Sequence, residues 1–165
     1  MSPAADPADP NTALLRHLVA TLAYRGGKAL RGAPADFADF RAAPGARTPV
    51  AILAHVGDLF DWAMRLAQGG KEWHSSDPLP WEQEVARFYA ALAAFDRQLV
   101  SGAPLAVPAE KLCQAPLADA FTHVGQIAML RRLAGHPVRA ENYYRADIVA
   151  GRVGPEQTAP AFEFD

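Results

Sequence analysis

The residues with types and spacing suited to chemistry fall at three positions. Asp119 and His123 stand four apart, which on an α-helix places a carboxylate and an imidazole about 6 Å apart on one face. His55 is the lone imidazole in a second stretch, Ile52, His55, Leu59, Trp62 and Leu66, whose alternating three and four spacing marks the seam a helix turns toward its partners. Asp119 and His123 open a matching seam that continues through Gln126, Leu130 and Leu133, with Leu117, Phe121, Val124 and Ile127 widening its apolar face. A polar row turned inward costs roughly 1–3 kcal/mol per unsatisfied group. It needs a counterpart, and His55 is the one available. Two imidazoles and one carboxylate form a three-ligand metal set that leaves a position for water or substrate, as catalytic sites do. With no thiolate among them, the expected ion is divalent: zinc or nickel first, iron or manganese behind.

Each of these residues also has a plainer reading. A histidine on an apolar seam is often a hydrogen-bonded core residue. Asp119, three residues after Pro116, suits the positive end of a helix. Gln126 serves equally as a core amide, and Met64 and Met129 as filling. Asp58, three residues after His55, either orients the ring or faces solvent. His17, Thr21 and Tyr24 form a polar strip expected to be solvated, and His74 and His136 read as surface residues. Cys113 reads as an inert, partly buried thiol. The Arg131-Arg132 pair suits the negative end of its helix.

Positioning these groups requires helices, and the punctuation of the chain supplies them. Asn11 caps a helix expected to run to about Tyr24, where Gly26-Gly27 invites a bend or stop. The stretch from Ala33-Pro34 to Pro44-Gly45 is an ordered connection whose Phe37 and Phe40 tuck against the helices. Thr48-Pro49 opens a second helix that runs to Gln68 before Gly69-Gly70. Lys71 to Pro80 is a crossover loop placed to cover the site, and Trp81 to about Val100 is a third helix with Val85, Phe88, Leu92, Phe95 and Leu99 inward. After a Pro- and Gly-rich connection and a helical turn at 109–114, Pro116 opens a fourth helix that Gly135 closes. Residues 141–151 are expected to form a short helix, and a tail bearing Phe162 and Phe164 to pack back, with Tyr143-Tyr144 a second candidate to close the site. No stretch reads as a convincing strand.

These elements predict an all-α fold: a four-helix bundle with long crossover connections and a short C-terminal helical tail. Residues 1–10 are expected to be a flexible arm and 11–165 a single domain, a length sufficient to bury its own core. A net charge of −2 gives no electrostatic reason to expect nucleic acid, and no apolar run is long enough to span a membrane. One cysteine suits a reducing cytoplasm, and a start rich in Pro and Asp, with no basic residue before Arg16, does not read as a secretory leader.

Two phrases, Ala51-Ile-Leu-Ala-His55-Val-Gly-Asp-Leu-Phe-Asp-Trp62 and Phe121-Thr-His123-Val-Gly-Gln-Ile127, resemble the signature helices of the DinB-like superfamily of metal-binding four-helix bundles. The resemblance covers roughly residues 11 to 135. It implies a divalent metal held by one histidine of the second helix and by a His-x-x-x-His pair of the last. His55 and His123 match the first and last ligands, whereas Asp119 stands where the middle histidine belongs. Some relatives use a low-molecular-weight thiol such as mycothiol or bacillithiol, so the resemblance implies a thiol-dependent transferase or hydrolase acting on a small molecule, and a homodimer. The alternative from a different class is a non-catalytic metal-binding or stress-response interaction module.

Overall fold

The computed structural model describes residues 9–164, so most of the expected N-terminal arm lies outside the described residues. The described chain is mostly helical, with four long helices and one two-stranded ribbon. Helix α1 spans Pro10–Leu30, α2 Pro49–Ala67 and α3 Trp81–Val100. A short α4, Ala109–Leu112, leads through a π-helical turn, Cys113–Leu117, into α5, Ala118–Leu133. Helices α1 and α2 each pack on both α3 and α5. Their shared core contains Leu22, Leu53, Phe60, Phe88, Leu92, Phe95 and Ile127, all buried. No helix among the described residues is long and apolar enough to cross a membrane.

Local sequence explains α2 and α3 directly. Thr48 caps α2, its hydroxyl accepting from the Ala51 N–H at 3.3 Å with Pro49 at the first helical position. The expected inward seam of α3 is buried at Phe88, Leu92, Phe95 and Leu99. Phe37 and Phe40 pack against the helices as expected, Phe37 edge-on to Trp81 at 5.8 Å.

Helix α1 differs from the reading at both ends. Asp9, not Asn11, is its cap, because its carboxylate accepts from the N–H groups of Asn11 and Thr12 and leaves Pro10 in the first turn. Gly26-Gly27 does not stop it, since the helix runs on to Leu30. A Cβ at Gly26 would stand 2.5 Å from the Phe88 ring, and one at Gly27 would stand 2.7 Å from the Tyr89 hydroxyl, so the pair gives α3 a close seat on α1. The helix ends a turn later, where buried Arg131 donates to the carbonyls of Ala29, Arg31 and Gly32. Arg131 also donates Nε–H to the His136 carbonyl at 2.9 Å, just past the end of its own helix, so it serves both helix ends.

Pro116 likewise does not open the last helix; it lies inside the π turn. Proline lacks an N–H and clashes with the carbonyl one α-turn back, and the wider π turn accommodates both defects without ending the rod.

The expected helix at 141–151 is absent. Ala140–Glu141 pairs antiparallel with Glu163–Phe164, and Tyr143–Arg145 makes one 3-10 turn. Buried Glu141 holds this ribbon down, accepting from Tyr24 Oη at 2.6 Å and Lys28 Nζ at 2.8 Å. Tyr24 is therefore buried and bonded, not part of a solvated strip, whereas His17 is exposed as expected. Cys113, the first residue of the π turn, is exposed rather than partly buried.

Candidate metal centre

The three residues singled out by type and spacing meet. His55 comes from α2, and Asp119 and His123 come from the first turns of α5; one ligand-type atom from each lies within 4.8 Å of the others. His55 Nε2 is 3.3 Å from Asp119 Oδ2, and the two imidazole rings are 4.6 Å apart between centroids. Ions of this class take nitrogen and oxygen ligands at about 2.0–2.2 Å, which puts neighbouring ligands roughly 3.0–3.5 Å apart. The 3.3 Å between Asp119 Oδ2 and His55 Nε2 falls in that range.

The tautomer of His123 follows from its neighbours. Nδ1 lies 2.8 Å from the Asp119 backbone carbonyl, which only accepts, so Nδ1 carries the proton of the neutral ring. Nε2 is then free to ligate, and the carbonyl serves as the orienting partner that metal-binding histidines commonly have. Burial pushes the His55 imidazolium below the ordinary histidine range; the Asp119 carboxylate opposes this, while His123 and the Arg47 guanidinium add to it. His55 is therefore neutral at pH 7, the form that binds metal.

Asp119 is the open side of the site. Its side chain is 45 % exposed against 22 % for His55 and 11 % for His123. It borders an open cavity of about 420 Å³ between α2 and the π turn, lined also by Leu59, Trp62 and Gln114. The expected inward seam of α5 is thus turned partly outward: Leu130 is buried, but Gln126 and Leu133 are exposed. The face that α5 buries runs through Ala120, Val124, Ile127 and Leu130 to Arg131, so the polar row lies at its edge. That rotation rejects Gln126 as a core amide, and Met129 is likewise exposed at 55 % rather than filling.

The loop expected to cover the site reaches it. The Trp73 ring lies 5.5 Å from His55 and edge-on to Trp62 at 5.7 Å. The other candidate does not reach it: Tyr143 packs on Tyr24 and under Arg25, and Tyr144 is 97 % exposed. Asp58 neither orients His55 nor faces solvent. It is buried, and its two oxygens accept from Ser76 while Arg87 pairs with it. Arg87, Ser76 and Gln114 escaped the sequence reading because their partners lie many residues away and no periodic pattern links them.

Compared with protein-family models, curated proteins and solved structures, the chain matches none.

Proposed function

We propose that the chain is a four-helix bundle whose α2 and α5 hold a divalent metal ion at His55, Asp119 and His123, and that this centre serves a thiol-dependent transferase or a hydrolase acting on a small molecule. The single observation that carries the reading is the convergence of three ligand-type side chains, from helices 64 residues apart in sequence, beside an open cavity. Two imidazoles and a carboxylate suit zinc or nickel, with iron or manganese behind. An ion held there supplies Lewis acidity that favours deprotonation of water or of a thiol such as mycothiol or bacillithiol.

The chain's own groups supply the rest. The Asp119 carbonyl fixes the His123 ring, the partly exposed Asp119 carboxylate faces the cavity, and Trp62 and Trp73 screen one side from water. Leu59 and Ala118 give the cavity apolar lining, and Gln114 brings an amide able to orient a polar substrate group.

Metal content is the direct test. Purified protein dialysed against a mixture of divalent ions should retain one ion per chain, and His55→Ala should lose it while its helical circular dichroism is unchanged. Wild-type protein that stays metal-free and folded would instead favour the interaction module.

A further inference from the structure

We infer that Asp58, Ser76 and Arg87 form a latch that positions Trp73 against His55 and so sets access to the metal centre. The latch serves the centre proposed above, yet its geometry is independent of any ion.

Residues 70–80 have no regular secondary structure, so their path is fixed by contacts to the helices around them. Ser76 makes the central one: its N–H donates to Asp58 Oδ2 and its hydroxyl to Asp58 Oδ1, each at 2.8 Å. On either side, Arg65 donates to the Glu72 carbonyl at 3.2 Å, and the Leu79 N–H donates to buried Glu84 at 2.9 Å.

The acceptor at the centre is itself held in place. Asp58 is 3 % exposed, and Arg87 Nη2 bonds it at 2.5 Å and Asp61 at 2.8 Å, with Nη1 donating to the Ala54 carbonyl. The Arg87 guanidinium lies so close to α2 that a Cβ at Gly57 would stand 2.9 Å from its Cζ. Burial raises the Asp58 pKa, but the Arg87 and Ser76 hydrogen bonds outweigh it and hold the carboxyl below its ordinary value. The ionised form is the one that accepts both Ser76 bonds.

Trp73 is three residues from this anchor, and its indole N–H donates to the Ser75 hydroxyl at 2.9 Å. The ring is 43 % exposed and leans on His55 and Trp62. A half-exposed indole against a ligand-type imidazole, carried on an irregular loop, stays there only while the loop is anchored. Asp58, Ser76 and Arg87 are thus positioning residues that act through Trp73.

The test uses the full chain without metal. Acylation of neutral imidazoles by diethyl pyrocarbonate is followed residue by residue by peptide mass mapping, with exposed His17 and His136 as internal controls. Trp73→Ala should speed modification of His55. Ser76→Ala, which removes one hydrogen bond to a charged acceptor, should speed it about tenfold, and Ser76→Thr should restore the slow rate. Control rates should not change in any variant. An unchanged His55 rate in Ser76→Ala or in Trp73→Ala overturns the latch. Release of Ni²⁺ to a chelator separates the two readings. Latch-dependent His55 rates in a protein that binds no Ni²⁺ would refute the metal centre and keep the latch. Ni²⁺ binding with latch-independent rates would do the reverse.

Discussion

Asp119 is the second residue of α5 and stands beside two imidazoles. Its role separates by substitution. If its carboxylate ligates, Asp119→His keeps or raises metal affinity, since imidazole is also a good ligand for zinc and nickel, and Asp119→Ala weakens it. If it does not ligate, Asp119→Asn leaves the metal in place and costs little stability, because the rod runs unbroken from Ala109 and puts Asp119 beyond the first turn, where the dipole effect has faded. The 3.3 Å contact to His55 Nε2 and the convergence of the three side chains favour the first outcome. Titration of wild type, Asp119→His and Asp119→Ala in one buffer checks it; equal affinities would remove Asp119 from the ligand set.

Glycine shows how an element's neighbours decide its course. In isolation a helix loses about 1 kcal/mol at each interior glycine relative to alanine. Gly26 repays this by admitting the Phe88 ring, itself 1 % exposed and unable to retreat without opening the core. Overpacking costs about 1–3 kcal/mol, so Gly26→Ala is expected to destabilise despite the better propensity. Gly125, on the outer side of α5, has nothing within 4 Å of a built Cβ. Gly125→Ala is expected to stabilise by up to about 1 kcal/mol. Urea unfolding of the two variants should move the midpoint in opposite directions; a midpoint raised by Gly26→Ala would reject the packing account of Gly26.

At the scale of the whole molecule, the C-terminal ribbon is tied to α1 and stands apart from the His55–Asp119–His123 cluster. Lys28 bridges Glu141 and Glu163, each at 2.8 Å, and burial together with Glu141 raises the Tyr24 pKa so that the phenol remains a donor. Removing one member of a buried pair costs about 3–5 kcal/mol, and Glu141→Ala should fall near the lower end because Glu163 stays beside Lys28. Thermal unfolding should show that loss, while metal titration of the same variant should match the wild type. A large change in metal affinity would mean that the ribbon supports the centre after all.

By itself the sequence determined the helical character of the chain, the cap of α2, the seam of α3, and the identities of the three residues that converge, His55, Asp119 and His123. These are properties of nearby residues: a 3.6-residue period, a Thr-Pro start and a four-residue spacing act over one or two turns. Tertiary structure decided the rest. Gly26-Gly27 and Pro116 read as helix boundaries until Phe88, Tyr89 and a π turn accommodate them. The rotation of α5 that exposes Gln126 and half-exposes Asp119 depends on where α1 and α2 press against it. Ser76 finds Asp58 and Arg131 finds the end of α1 across separations of 18 and about 100 residues, where no local pattern signals a partner. Side-chain chemistry is written in the residue, but which groups share a cavity, and which face of a helix meets water, is fixed only when packing excludes the alternatives.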